Sequence, residues 1–471
     1  MRREAEMSAM LPTPVGRQKE VLALPASGHT VVLGTAGSGK TTLAIHRAAY
    51  LANPNTDHGG RTLLVTFNKC LVAYLQSLGA GLGQVHVRNY HHFARGYLAS
   101  RGKMERNAIA SPDLAAAYAQ RAIDGLRRTG VTTQVFGRPI DFLVEEFQWL
   151  SQNGIRSADD YFDAEQDGRT GSRVPQNERA QVFVAYESYR ALRNASGKPY
   201  DWDDLAQTVL TEFRNDDNER CYTHIIIDEG QDFSPVMLQS LAAAIPAGGS
   251  LTFFGDMAQQ IYGHKISWRS AGLNAPKVWK FEENYRNSRQ IAQLALAIAR
   301  SPHYRGLADL VEPKSPTADG PPPALVGFKV ETEEMQFVAT RAQKLAETGT
   351  VAVLFRDREI EQNLPQLLPV HATRLHRELN VWSRGPKLFY GTYHSAKGLE
   401  FDSVLVPFAS SSRLPHPPDV VAFGCDDAAA RNTKLLYVAV TRAKSNLIIT
   451  HTGDPTPLLP LSDGLLQRSQ R

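Results

Sequence analysis

Nine consecutive residues, Gly34-Thr35-Ala36-Gly37-Ser38-Gly39-Lys40-Thr41-Thr42, carry the densest chemistry in the chain. Gly34, Gly39, Lys40 and Thr41 fit the spacing of a phosphate-binding loop. Its glycines, lacking Cβ, let backbone N–H groups close on a polyphosphate. Lys40 can reach the outer phosphates, and the Thr41 hydroxyl can ligate Mg²⁺. A second string, Asp228-Glu229-Gly230-Gln231-Asp232, follows the apolar run Ile225-Ile226-Ile227. Asp228 at a strand end can hold the same metal, and Glu229 is placed to polarise a water. Together they point to Mg²⁺-dependent hydrolysis of a nucleoside triphosphate.

These groups need rigid elements under them. Thr30–Leu33 reads as a strand entering the loop, and Leu43 to Leu51 as a helix leaving it, which would put the phosphates at a helix N-terminus. Further strand-like runs lie at Thr62–Thr66, His224–Asp228 and Leu251–Gly255. A second set lies at Val351–Phe355, Leu388–Thr392, Ser403–Phe408 and Asn446–Thr450. Strands alternating with helical stretches imply parallel sheets covered by helices. The fold class expected is therefore α/β with two cores and a helical insertion in the first. Residues 1–91 and 201–275 would form the first core, and 92–200, rich in Ala, Arg, Glu, Gln and Leu, the insertion. Residues 276–455 would form the second core, interrupted by a proline-rich loop over Glu312 to Pro323; 456–471 would be a tail that frays or packs locally.

The 471 residues suffice for about three domains. A net charge of +4 is too weak to prove a nucleic-acid partner, yet it is compatible with a local basic groove. Cys70, Cys221 and Cys425 lack metal spacing and read as reduced thiols of a cytoplasmic protein. No apolar run approaches the ~18 residues that span a bilayer, so no membrane partner is expected.

The order of motifs is specific. The chain resembles superfamily 1 DNA helicases of the UvrD/Rep/PcrA type almost end to end, which implies two RecA-like P-loop motor domains. Gln18 resembles the adenine-reading glutamine of that family. Gly34–Thr42 and Asp228–Asp232 resemble motifs I and II, with Gly230 where the family usually has Ala. Phe254–Tyr262 resembles motif III and places Gln259 as the γ-phosphate sensor. Glu283-Asn284-Tyr285-Arg286 and Tyr437–Ala443 resemble motifs IV and VI, which makes Arg286 and Arg442 the arginine fingers. Such groups are worth roughly 10³–10⁵ in rate because they meet charge building on the γ-phosphate. Gly391–Phe401 resembles motif V; by resemblance Glu400 meets the ribose, and Thr392 and His394 lie near the nucleic-acid backbone.

Phe67-Asn68-Lys69 resembles motif Ia, and Asn89–Phe93, with His91, motif Ib. Tyr262 and Trp268 flank motif III, where the family stacks bases at ~1–3 kcal/mol each. A longer spacer than usual separates them, so Trp268 reads either as a stacking platform or as core. Lys265, Arg269, Arg384 and Lys397 join Lys69 as candidate phosphate contacts. The interval from Arg286 to motif V is short, with no room for the large helical insertion of typical relatives. The resemblance implies an ATP-dependent translocase or helicase on single-stranded DNA, moving 3′ to 5′, with RNA the less favoured substrate. ATP and Mg²⁺ are its implied cofactors, and a nuclease or repair factor the implied protein partner, in repair, replication or antiviral defence. The alternative is an ATP-gated binding module that activates an effector without unwinding.

Overall fold

The computed structural model describes residues 13–14, 18–77, 84–166, 172–256, 268, 271–304, 318–356, 363–376, 379, 382, 385, 387–461 and 464–471. The first sheet contains β1 (Gly28–Gly34), β2 (Thr62–Thr66), β3 (Val85–Asn89), β4 (His224–Ile227), β5 (Ser250–Gly255) and β6 (Val278–Phe281). The second contains β7 (Ala324–Phe328), β8 (Thr350–Phe355), β9 (Thr373–Arg374), β10 (Lys387–Thr392), β11 (Phe401–Val406), β12 (Ala443–Thr452) and β13 (Gln467–Gln470). Their orders are β3-β2-β4-β5-β1-β6 and β13-β7-β12-β11-β8-β10-β9. Every pairing in both sheets is parallel. The chain is thus α/β, with the two RecA-like cores expected.

A parallel strand returns to its sheet through a crossover, and helices supply most of the crossovers here. The helices of the first core are α1 (Gln18–Leu22), which precedes β1, and α2 (Lys40–Leu51), α3 (Lys69–Ser77), α4 (Tyr90–Ser100), α9 (Leu205–Asn215) and α10 (Pro235–Ala242). Between α4 and α9 lie α5 (Pro112–Arg128), α6 (Ile140–Gln152), α7 (Ala158–Asp163) and α8 (Gln176–Ala195). The second core adds α11 (Arg289–Ala299), α12 (Glu331–Leu345), α13 (Leu364–Leu367), α14 (Pro417–Phe423) and α15 (Cys425–Val440).

Alternate residues of each strand face opposite layers, and the packing follows that period. Val31, Leu33, Ile225, Ile227, Leu251 and Phe253 pack with α4, α9 and α10. Val32, Leu64, Ile226 and Phe254 join a layer that continues into Leu325, Ala352 and Val404 of the second sheet. The insertion has its own core, from Ala115 and Phe142 to Tyr189, and Ala422 and Phe423 of α14 enter it.

Two expectations change. A boundary after residue 275 would give β6 to the second core, yet β6 pairs with β1 in the first sheet. The tail ends in β13, which pairs with β7 at the edge of the second sheet. Gln-Arg-Ser-Gln contains no apolar residue, so its sequence carries no strand pattern.

Candidate functional site

The strand order makes the site. β4, β5, β1 and β6 are neighbours, so their C-terminal ends place Asp228, Asp256, the Gly34–Thr42 loop and the residues after Phe281 side by side. That edge is where open α/β sheets take ligands. Gly37 and Gly39 hold φ of 79° and 81°, a region costly for other residues. A Cβ on Gly37 would also lie 2.1 Å from Asn284 Oδ1. Thr35 Oγ1 and Ser38 Oγ are buried in the loop with no hydrogen-bond partner among the described residues. Ala36 is buried beside them, and Thr41 and Thr42 open α2.

Lys40 Nζ donates to the carbonyls of Gly34 (2.9 Å) and Thr35 (2.6 Å) and lies 3.9 Å from Asp256. Burial lowers its pKa; Asp256, Glu229 and Asp228 oppose that, while the Arg286 charge adds to it. Gln18 Nε2 donates to the Ser38 carbonyl at 3.0 Å, so the side chain expected to read adenine is tied to the phosphate loop.

Asp228 is 1% exposed, and neither carboxylate oxygen accepts a hydrogen bond at bonding geometry among the described residues. Burial, then the Glu229 charge, push its carboxyl up to about 7, against the pull of the nearby Thr41 hydroxyl and Lys40 ammonium. A buried carboxylate lacking donors, beside a hydroxyl, suits a hard divalent cation such as Mg²⁺. Glu229 sits in left-handed backbone, φ 54°. Burial works against its charge, but Lys40, Arg442 and Lys397 outweigh it and hold its pKa below the ordinary value. Gln231 fixes it: Nε2 donates to Glu229 Oε2 at 2.5 Å, and Oε1 accepts from the Asp256 N–H at 2.8 Å.

The second core reaches this edge from across a cleft. Tyr285 N–H donates to the Gly37 carbonyl at 2.9 Å while its side chain stays 59% exposed. Arg286 Nε pairs with Glu400 Oε2 at 2.6 Å, and Lys444 lies 3.5 Å from the other oxygen. Glu400, expected at a ribose, is thus held by two cations. Arg442 is fully buried, donating to the Val438 and Leu399 carbonyls at 3.0 and 3.1 Å. Burial draws its pKa down to about 10, so it stays charged at neutral pH. Asn287 Nδ2 donates to the Thr441 and Ala443 carbonyls, stitching the Arg286 loop to the Arg442 turn.

A groove of 1220 Å³ runs behind this cleft. The first core lines it with Phe67, Asn68, Lys69, His91, His92 and Arg95; the second with Arg356, Arg374, Thr392, His394 and Lys397. Arg106, Gln148, Gln152 and Trp202 complete the wall from the insertion side. Phe67 meets His91 edge-on at 5.6 Å, and His91 meets Trp202 at 5.2 Å. Asn68 Nδ2 donates to the carbonyls of Ser395 (3.3 Å) and Lys397 (2.6 Å), joining the cores at the groove floor. Lys397 Nζ also forms a buried ion pair with Asp232, and both residues line the groove.

The predicted residues therefore divide. Gln18, the loop, Asp228, Glu229, Arg286, Glu400 and Arg442 gather at the cleft. Phe67, Asn68, Lys69, His91, Thr392 and His394 gather in the groove. Trp268 is partly buried and packs T-shaped against Phe253, with ring centres 5.0 Å apart, beside the first core's hydrophobic cluster. Gln259, Tyr262, Lys265, Arg269 and Arg384 lie outside the described residues. Sequence reasoning gave no role to Gln231 and Asp256, although both sit inside the motif strings. For Asn287, Arg95, Arg106 and Gln148 it had no signal, since lone Asn, Arg and Gln residues are ordinary surface composition.

Residues 16–277 match the family model of the UvrD/REP helicase N-terminal domain, and residues 372–453 that of the UvrD-like helicase C-terminal domain. ATP-dependent DNA helicase UvrD2 of Mycobacterium tuberculosis is 27% identical over 72% of this chain and 51% of its own length. ATP-dependent DNA helicase PcrA of Leuconostoc citreum is 24% identical over 72% of the chain and 46% of its own. DNA helicase II of Escherichia coli is 24% identical over 77% and 51%. The chain thus spans about half the length of these curated relatives.

Proposed function

The chain belongs to the UvrD/Rep helicase family, and on that premise we propose that it is an ATP-dependent translocase or helicase on single-stranded DNA, moving 3′ to 5′. The observation that supports this best is the shared wall: Asp232 and Lys397 touch the groove while their neighbours Glu229 and Glu400 face the nucleotide cleft. One closure of the cores can thus act on both ligands.

In this reading the Gly34–Thr42 loop cradles ATP, with Thr35 and Ser38 hydroxyls free to turn toward phosphate. Lys40 leaves its loop carbonyls for the outer phosphates. Asp228 and Thr41 would hold Mg²⁺, which would neutralise charge on the phosphates. Glu229, kept ionised by three cations, accepts a proton from the attacking water. Arg286 and Arg442 meet the charge developing on the γ-phosphate. Both come from the second core, so hydrolysis needs a closed cleft and phosphate release permits opening. The groove holds the strand by stacking and by phosphate contacts.

The test is steady-state ATP hydrolysis with no nucleic acid, single-stranded DNA, duplex DNA and RNA, beside Lys40→Ala. Large stimulation by single-stranded DNA, lost in the variant, is the expected result. A Lys40-dependent rate indifferent to every nucleic acid would sink the motor reading. The second reading, an ATP-gated module acting on an effector, has one observation in its favour. Among the described residues, the segment from Arg286 to motif V holds α11, a 3-10 turn over Pro302–Tyr304, β7, α12, β8, α13, β9 and β10. It predicts slow hydrolysis and no strand displacement.

A further inference from the structure

The helical insertion belongs by sequence to the first core, yet it is fastened to the second. Arg431 of α15 makes a bidentate ion pair with Glu145 of α6, one bond at 2.7 Å. The same guanidinium lies 3.8 Å over the Phe423 ring, whose centre is 6.3 Å from that of Phe142. Asp427 accepts from both the N–H (2.9 Å) and the hydroxyl of Ser172. Ala422 and Phe423 are buried within the insertion's own hydrophobic core. This contact is thus a packed apolar seam closed by charge-assisted bonds.

Its position matters more than its strength. Gln148 and Gln152, one and two turns along α6 from Glu145, line the groove. On the other side Arg356 lines it too, bonded to Asn432 (2.9 Å), the residue next to Arg431, and to Asp419 (2.7 Å). The Glu145–Arg431 fastening therefore joins the two walls at one rim. At the floor, Asn68 and Asp232 of the first core hold Ser395 and Lys397 of the second. The covalent chain links the first core to the insertion. Links thus run from the first core to the insertion, from the insertion to the second core and from the second core back to the first, with groove-lining residues on each part.

We propose that this seam makes the groove a closed channel that takes single strands by a free end, and that a strand without ends enters only when the Glu145–Arg431 seam opens. The proposal rests on the nucleic-acid reading of the groove and names its substrate class: single strands with an accessible end.

The test uses the full chain with Cys221 and Cys425, both exposed, changed to serine, and Glu145→Cys with Arg431→Cys joined by a bis-maleimide or by oxidation. Binding to a linear oligonucleotide and to the same oligonucleotide ligated into a circle is read by anisotropy, before and after locking. The expected result is at least tenfold loss of binding to the circle on locking, with the linear strand retained. Thiol reduction of the oxidised form should restore the circle. Equal binding of both strands by the locked protein overturns the closed channel. Reversible loss of both overturns threading, because the seam would then open for every entry. A protein that binds neither strand before locking refutes the underlying nucleic-acid reading instead. A charge pair keeps the test independent of crosslinking. Arg431→Glu alone should speed association with the circle several-fold, and Glu145→Arg added to it should return the slow rate.

Discussion

The nucleotide cleft and the groove are built differently, although they share a wall. The cleft is assembled from strand ends, and its key atoms come from short contiguous strings: the loop after β1, the Asp228–Asp232 turn after β4, and the turn before β12. Parallel strands of the first sheet bring the first two strings together, and the second core presents the third from across the cleft. The groove takes its lining from both cores and the insertion, mostly one or two side chains at a time. Phosphate chemistry demands backbone geometry, and backbone geometry leaves a glycine signature. A stacking and charge track demands only that aromatics and cations face one space, which many arrangements satisfy. If this contrast is sound, substitutions should separate the two regions cleanly, except at the residues of their common wall.

The largest effect should come from Arg286→Ala. Its guanidinium meets Glu400 on the cleft side and is absent from the groove lining. The expected loss is roughly 10³–10⁵ in kcat for ATP, with single-strand affinity close to the original. Coupled-enzyme kinetics and anisotropy read the two quantities. A comparable loss of strand binding would break the contrast and make the two regions one site.

Asp232 sits where the contrast should fail, and its titration shows how. Burial pushes its carboxyl up to about 6 from 3.8, against the pull of Lys397. The folded state therefore binds this proton more tightly than the unfolded state. The associated stability is fully present below pH 3.8 and is lost as pH rises through about 6. A shift of that size corresponds to ~3 kcal/mol. Denaturant titrations of the wild type and Asp232→Asn across this window should show their difference in stability moving by that order. A constant difference would show that the buried pair costs nothing to ionise.

How much of this was legible follows the same division. The two cores, the loop and the Asp228 turn were readable because apolar strand runs and glycine spacing are local signals. β6 and β13 were not. β6 is four residues with a lysine in it, assigned to its sheet by a partner far away in sequence, and β13 is wholly polar. The pairing of Glu400 with Arg286 was not readable either, since each was expected to face ATP. The sequence left Trp268 between stacking and core, and the structure sets its ring T-shaped against that of Phe253 on β5. The seam between α6 and α15 had no signal at all, because Glu145 and Arg431 are separated by most of the chain.

Within the groove, stacking should outweigh charge. Phe67 is half-buried and meets the rings of His91 and Phe233 T-shaped, with centres 5.6 and 6.2 Å away. Phe67→Ala should weaken single-strand binding by ~1–3 kcal/mol, while the affinity for a non-hydrolysable ATP analogue stays put. A thermal scan separates this from lost packing. An unchanged strand affinity would remove Phe67 from the track and leave the groove to its charges alone.

The smallest effect distinguishes the two kinds of contact. Lys69 is exposed at the start of α3, on the rim of the groove. Its charge is felt there: burial first, then Arg88, Arg95 and Lys69, keep His92 below its ordinary pKa. A cation that neutralises one phosphate releases condensed counterion, so each such contact adds ~0.7 to the slope of log affinity against log salt for a single strand. Lys69→Ala should therefore lower that slope by ~0.7, with a modest affinity loss at low salt that vanishes as salt rises. Phe67→Ala should leave the slope alone, because stacking releases no ions. Measuring both slopes on one oligonucleotide sorts the groove's contacts by mechanism. If Lys69→Ala leaves the slope unchanged, its ammonium lies in solvent, and the phosphates meet Arg95, Arg106 or Arg374 instead.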